Sequence, residues 1–197
     1  MSKLCLTLIT ISNFLISQNI IPNIENDNWN ILQTQPILIR WIEYNDTYWC
    51  QAKTTIHTTT DKLQFLLEDK ENYPNVFDRI ETTTVYNNGN VHITLDMPFP
   101  FASRDYIVQY IKMNKNNDII YQYKAIDNSN LNINNNYVRL INAAGEWKLH
   151  TINTDTTELT YTWNGELRGD FPDWALTRAW NAQGEEVMTW IKNAIEE

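Results

Sequence analysis

The residues best able to do chemistry are the adjacent pair Arg104 and Asp105, the histidines His57, His92 and His150, and the cysteines Cys5 and Cys50. Neighbours on a strand point to opposite faces, so Arg104 and Asp105 are not expected to pair with each other. Each can tie down a loop by charge-assisted hydrogen bonds, or Arg104 can anchor a carboxylate or polar head. The histidines fall on separate predicted strands, without the spacing of a shared metal, and neither His92 nor His150 has an acid or base partner evident in the sequence. Two cysteines alone build neither a disulfide framework nor a metal site. The sequence also lacks a Gly-rich phosphate loop, a nucleophile elbow, a zinc-protease helix and a Cys-x-x-Cys pair. No catalytic residue, metal or cofactor is therefore assigned.

Polar groups on apolar faces are more informative. Tyr106, Val108 and Tyr110 share one face of a strand by alternation, and two phenols in an apolar wall can donate hydrogen bonds to a guest. Gln183 falls near the centre of the apolar face of a C-terminal helix. A buried amide without partners costs about 1–3 kcal/mol, so Gln183 must meet a polar protein group, a water or a ligand. Trp174, Trp180 and Trp190 recur at helical spacings and are expected to pack that helix. Trp174, beside Phe171 and Pro172, is also placed to settle into a bilayer headgroup zone.

These residues need a scaffold, and the composition supplies one. With 197 residues, 43% of them hydrophobic, the chain suits one domain able to bury roughly 70% of its unfolded surface. The net charge of -9 repels phosphate backbones and makes nucleic acid a poor partner. Eight Trp and ten Tyr require a packed core, or a core with a pocket. At the start, Lys3, a mostly apolar run from Leu4 to Ile16 and polar Ser17 to Asn19 follow the order of a secretory signal peptide. Residues 1–17 are accordingly read as a leader to a secreted or periplasmic protein; the other reading is an N-terminal element of a cytoplasmic domain. The run is shorter than the roughly 20 apolar residues of a membrane span.

A single domain is expected over residues 28–197. Ile37 to Tyr44 and Tyr48 to His57, separated by Asn45-Asp46-Thr47, read as a hairpin. Thr58, Thr59 and Thr60 offer cap hydroxyls to a helix carrying Leu63, Phe65, Leu66 and Leu67, which must stop by Pro74. Strands are expected over Arg79 to Tyr86, Asn90 to Met97, Ser103 to Met113, Asp118 to Ala125, Tyr137 to Asn142, Trp147 to Thr154 and Glu158 to Trp163, with a tight turn at Asn87-Asn88-Gly89 and a long exposed one at Asn128 to Asn136. From Trp174 onward the period becomes helical, with Leu176, Ala179, Trp180, Val187, Trp190, Ile191 and Ala194 on one face. The product is one curved antiparallel sheet with a long amphipathic helix laid against it.

Two stretches carry a resemblance. Ile56 to Asp69, followed by Tyr73-Pro74 and Phe77, resembles the strand-to-helix opening of the helix-grip superfamily. Met97-Pro98-Phe99-Pro100-Phe101-Ala102-Ser103-Arg104-Asp105-Tyr106 is similar to the proline-flanked Arg-Asp-aromatic signature of START domains, the steroidogenic-acute-regulatory-protein-related lipid-transfer family. Tyr137-Val138-Arg139, Gly145-Glu146-Trp147, Leu159-Thr160-Tyr161 and Phe171-Pro172-Asp173-Trp174 continue the pattern in family order, so the resemblance spans about Trp29 to Ile195.

The resemblance implies an α+β helix-grip fold: a curved antiparallel sheet gripped by the C-terminal helix around a hydrophobic tunnel for one lipid-like molecule, with no catalysis and no cofactor. Arg104, Tyr106, Val108, Tyr110, Arg139, Trp180, Gln183 and Val187 are the candidate ligand contacts. Some sterol-binding members of the family place an arginine where Tyr110 falls, a departure that weighs against a sterol guest. A lipid partner, transient membrane contact and a monomeric state are expected. The alternative is an enzyme of the wider superfamily, cyclase- or aromatase-like, working in the same pocket.

Overall fold

The computed structural model describes Ile21, residues 28–126 and residues 136–196. The leader reading of residues 1–17, Cys5 and nearly all of the polar turn before Tyr137 lie outside the described residues.

Among the described residues, ten strands form one sheet. They are β1 (Asn30–Gln33), β2 (Leu38–Tyr44), β3 (Thr47–Ile56), β4 (Ile80–Val85), β5 (Asn90–Leu95), β6 (Ser103–Lys115), β7 (Asp118–Ala125), β8 (Tyr137–Arg139), β9 (Ala144–Asn153) and β10 (Thr156–Asn164). Their order across the sheet is β1-β2-β3-β10-β9-β7-β6-β5-β4, and the short β8 lies parallel to the start of β6. All other pairings are antiparallel. Because β3 pairs with β10, the first meander joins the last hairpin, and the connection after β3 crosses to the far edge at β4.

Turn chemistry fixes the registers. Asn45 and Asp46 both take positive φ (51° and 56°), giving a two-residue turn of the kind that matches strand twist, so Thr47 belongs to β3 rather than to the loop. Gly89 N–H donates to the Tyr86 carbonyl at 2.8 Å, closing the expected turn between β4 and β5. β1 has no counterpart among the expected strands, and the segment at Tyr137 is shorter than expected.

The crossover is more broken than the sequence pattern suggests. Helix α1 (Thr60–Glu68) is capped by Thr59, whose Oγ1 accepts from Lys62 N–H at 3.2 Å. Thr60 is inside the helix and bonds to the hydroxyls of Thr151 and Thr157. Leu63 and Leu67 are buried, whereas Phe65 is 74% exposed. As expected, α1 stops before Pro74, at Glu68; Pro74 itself lies in the first turn of a further short helix, α2 (Tyr73–Val76), where a missing amide proton costs nothing because the first turn has no acceptor for it.

Helix α3 (Leu176–Glu196) packs across β1, β2 and β3 and reaches α2. Its buried residues Trp180, Gly184, Met188, Ile191 and Ile195 form the seam on the sheet. Gly184 sits directly over Ile39: a Cβ there would lie 3.0 Å from the Ile39 side chain, so the glycine permits the close approach. Lys62 Nζ donates to the Ile195 carbonyl, satisfying an end group of α3 and tying α1 to it. Ala179, Gln183, Val187 and Trp190 occupy a second face, turned toward a hollow rather than toward β1 to β3. The single apolar face expected from periodicity is thus two adjoining faces with different tasks. Among the described residues, no helix is long and apolar enough to cross a membrane.

Candidate functional site

The hollow lies between α3, the α2 turn and the inner surface of β5, β6, β7, β9 and β10, and has a volume of about 550 Å³. That falls in the roughly 300–1,000 Å³ range of small-molecule sites. Alternation along β10 turns Leu159, Tyr161 and Trp163 inward; Tyr161 stacks on Trp147 at 4.1 Å between ring centroids and on Trp163 at 4.8 Å. Tyr106 and Tyr110 from β6, Tyr123 from β7, and Tyr73 and Phe77 from the α2 region complete an aromatic wall.

The phenols form two short chains. Tyr110 donates to the Tyr73 oxygen, and Tyr73 donates to the Leu67 carbonyl at 2.7 Å. Tyr123 and Tyr161 lie 3.1 Å apart, and Gln183 hydrogen-bonds to Tyr161. Tyr123 fits because Gly145 faces it: a Cβ at Gly145 would meet the phenol oxygen at 2.3 Å and the Thr162 carbonyl at 2.7 Å. Tyr106 forms no hydrogen bond among the described residues. Burial raises the pKa values of all five phenols, that of Tyr161 to about 12, so all remain protonated donors at neutral pH.

The opening lies between the loop from β5 to β6 and the loop from β10 to α3. Phe101 and Phe171 meet across it at 4.5 Å, and Trp174 is 83% exposed while also lining the hollow. Arg104 clamps both loops. Its Nη1 donates to the Ala102 carbonyl, its Nε to Leu167 at 3.2 Å and its Nη2 to Arg168 at 3.0 Å. Burial lowers its pKa and Asp170 partly offsets this. Along one side, Arg79 Nε and Nη2 donate to Glu186 at 2.5 and 2.6 Å, strapping the start of β4 to α3 over the lining.

Asp105 faces the other way. Its carboxylate accepts from Arg139 Nε and Nη2 at 2.7 and 2.6 Å, and His92 Nε2 lies 2.9 Å from Oδ2. Burial by itself would raise the pKa of Asp105, but the hydrogen bonds from Arg139 and His92 together outweigh it and hold the carboxyl below its ordinary range. His150 Nδ1 is 2.6 Å from Asp118 Oδ1. Among the described residues, no histidine or aspartate lines the hollow.

Of the eight residues expected to contact a ligand, Arg104, Tyr106, Tyr110, Gln183 and Val187 line the hollow. Val108, Arg139 and Trp180 do not. Val108 shares the inward face of β6 but is wholly buried in the packed core. Arg139 is spent on Asp105 on the opposite face of β6. Trp180 lies under the helix, against Trp41 and Tyr48, with Nε1 donating to the Gly165 carbonyl at 2.8 Å. Tyr73, Tyr123 and Tyr161 were not anticipated, although the alternation of β7 and β10 marks Tyr123 and Tyr161 as partners on one face. No spacing signal links Arg79 with Glu186.

No family model matches the chain, and no curated protein matches it significantly. Solved structures do. A STAR-related lipid transfer protein fragment from Xanthomonas axonopodis superposes with a TM-score of 0.76 at 14% identity, over 87% of this chain and 100% of that one. Human StAR-related lipid transfer protein 5 gives 0.77 at 9% identity, over 87% and 88%. This chain has the START helix-grip fold. The Zhui aromatase/cyclase from Streptomyces sp. R1128 is also similar, with a TM-score of 0.55 at 16% identity, over 75% of this chain and 93% of that one. The START fold thus appears here with its long helix, its curved sheet and the space between them.

Proposed function

We propose that the protein binds one hydrophobic, lipid-like molecule in the hollow and carries or presents it without chemical change. The observation that carries this reading is an open interior of about 550 Å³ walled by aromatic and aliphatic side chains, in a fold shared with lipid-transfer proteins. Affinity would come from apolar area, at roughly 25 cal/mol per Å² before association costs. Catalysis as in an aromatase or cyclase would require an acid or base facing the guest. His92 and His150 have carboxylate partners, but neither residue is in the wall, and the two glutamates that do line it are engaged, Glu186 by Arg79 and Glu166 by Asn142.

Exposed aromatics at the opening suit delivery to a membrane. Phe99 is 97% exposed and Trp174 83%, one on each of the two loops that Arg104 clamps, and such rings settle at the headgroup level. With a net charge of -9, docking would be local and brief. The test is transfer of a pyrene-labelled fatty alcohol from phosphatidylcholine donor vesicles to acceptor vesicles. The protein is expected to accelerate transfer, in proportion to its concentration, and the double variant Phe99→Ser, Trp174→Ser to slow delivery while still binding the probe. If the protein neither speeds transfer nor binds the probe, the carrier reading fails.

A further inference from the structure

The inner wall offers donors with nothing to receive them. In the chain from Tyr110 through Tyr73 to Leu67 every phenolic proton is spent. In the pair Tyr123 and Tyr161, two hydroxyls share one 3.1 Å contact, and Gln183 adds an amide to the same oxygen. Tyr106 stands in that cluster with its hydroxyl unpaired among the described residues, and its ring lines the hollow. A protonated phenol left without an acceptor in an apolar site costs about 1–3 kcal/mol. A guest that brings an acceptor recovers it.

The charged groups of the wall are engaged elsewhere. Arg79 is paired with Glu186 and Arg104 with three carbonyls. Arg178, exposed near the opening, is the lining arginine with no ion pair among the described residues. An anionic end of a guest would therefore find a cation at the opening and none beside Tyr106. Size narrows the class further. At about 550 Å³ the hollow lies within the roughly 300–1,000 Å³ range of small-molecule sites and suits one long alkyl chain or a fused-ring system.

Resting on the carrier reading, we infer that the guest is a single-chain or fused-ring molecule that presents an uncharged oxygen acceptor, a ketone, ester or hydroxyl, to Tyr106 on the inner wall. Tyr106 then sets specificity, while the ring faces of Trp147, Tyr161 and Trp163 supply apolar contact that does not distinguish oxygenated from plain hydrocarbon guests; Trp163 Nε1 also lacks a partner among the described residues but is sealed from the surface of the hollow.

Binding of 2-undecanone and of n-undecane to the full chain can be followed by tryptophan emission, since Trp147, Trp163 and Trp190 line the hollow. Tyr106→Phe removes only the hydroxyl. It is expected to weaken the ketone roughly three- to tenfold, the worth of one hydrogen bond, and to leave the alkane unchanged. Should that variant fail to fold, Tyr106→Met, which removes the same hydroxyl with a more adaptable side chain, supplies the same differential comparison. If both probes bind and the substitution weakens neither, or both alike, the inference is overturned while the carrier reading stands. If neither probe binds the unaltered protein, both fall together.

Discussion

Replacing Asp105 by alanine should cost about 3–5 kcal/mol of folding stability, the usual result of stripping one partner from a buried charge cluster. The carboxylate side chain is only 3% exposed, and its oxygens are filled by Arg139 and His92. Without it, the largely buried Arg139 guanidinium has no counter-charge, and β8 loses the side-chain tie that reinforces its three paired residues on β6. Urea unfolding at neutral pH should show the loss as a lower midpoint with little change in slope.

The same group sets an acid limb. Because the folded carboxyl titrates below its ordinary value of 3.8, the unfolded chain takes up protons first. The stabilisation is therefore fully present above the unfolded pKa and disappears as pH falls through the folded one, between about pH 5 and lower values. Asp105→Asn should flatten that part of the stability-pH curve. An unchanged acid limb, or a cost for Asp105→Ala below about 1 kcal/mol, would show that the cluster does not hold β8 as described.

The second large effect concerns the hollow. Ala182→Trp, on the cavity face of α3, should reduce loading by a lipid-like guest about tenfold or more without lowering the thermal midpoint. An indole covers about 150–250 Å², and at about 25 cal/mol per Å² the guest forfeits about 4–6 kcal/mol of contact. A third of that is already tenfold. Equal loading of the variant and the unaltered chain would mean that the guest sits elsewhere.

Much of the fold was legible because its signals are local. Alternation marked the strands of the second meander, and Asn87-Asn88-Gly89 placed its turn. The helical period after Trp174 located α3 to within two residues. Period 2 tells which face of a strand a residue takes, but not which part of that face is packed. Tyr106 and Tyr110 accordingly reach the hollow while Val108 between them is sealed in the core. Period 3.6 gives the phase of a helix but not the breadth of its buried arc, so Trp180 and Gln183 were placed together although one packs on the sheet and the other faces the guest. Arg139 could not be assigned from its neighbours, since its partner Asp105 is brought to it by a parallel pairing. The strap of Arg79 and Glu186 joins residues 107 positions apart and leaves no trace in spacing.

The central claim is that a guest occupies the space under α3. Native mass spectrometry of the full chain as purified from cells tests it most directly. The account predicts a protein peak heavier than the bare chain by one small, uncharged, lipid-like molecule, released on denaturation and reduced in Ala182→Trp. Bare chain in repeated preparations, with no adduct after incubation with 2-undecanone or a long-chain alcohol, would contradict it.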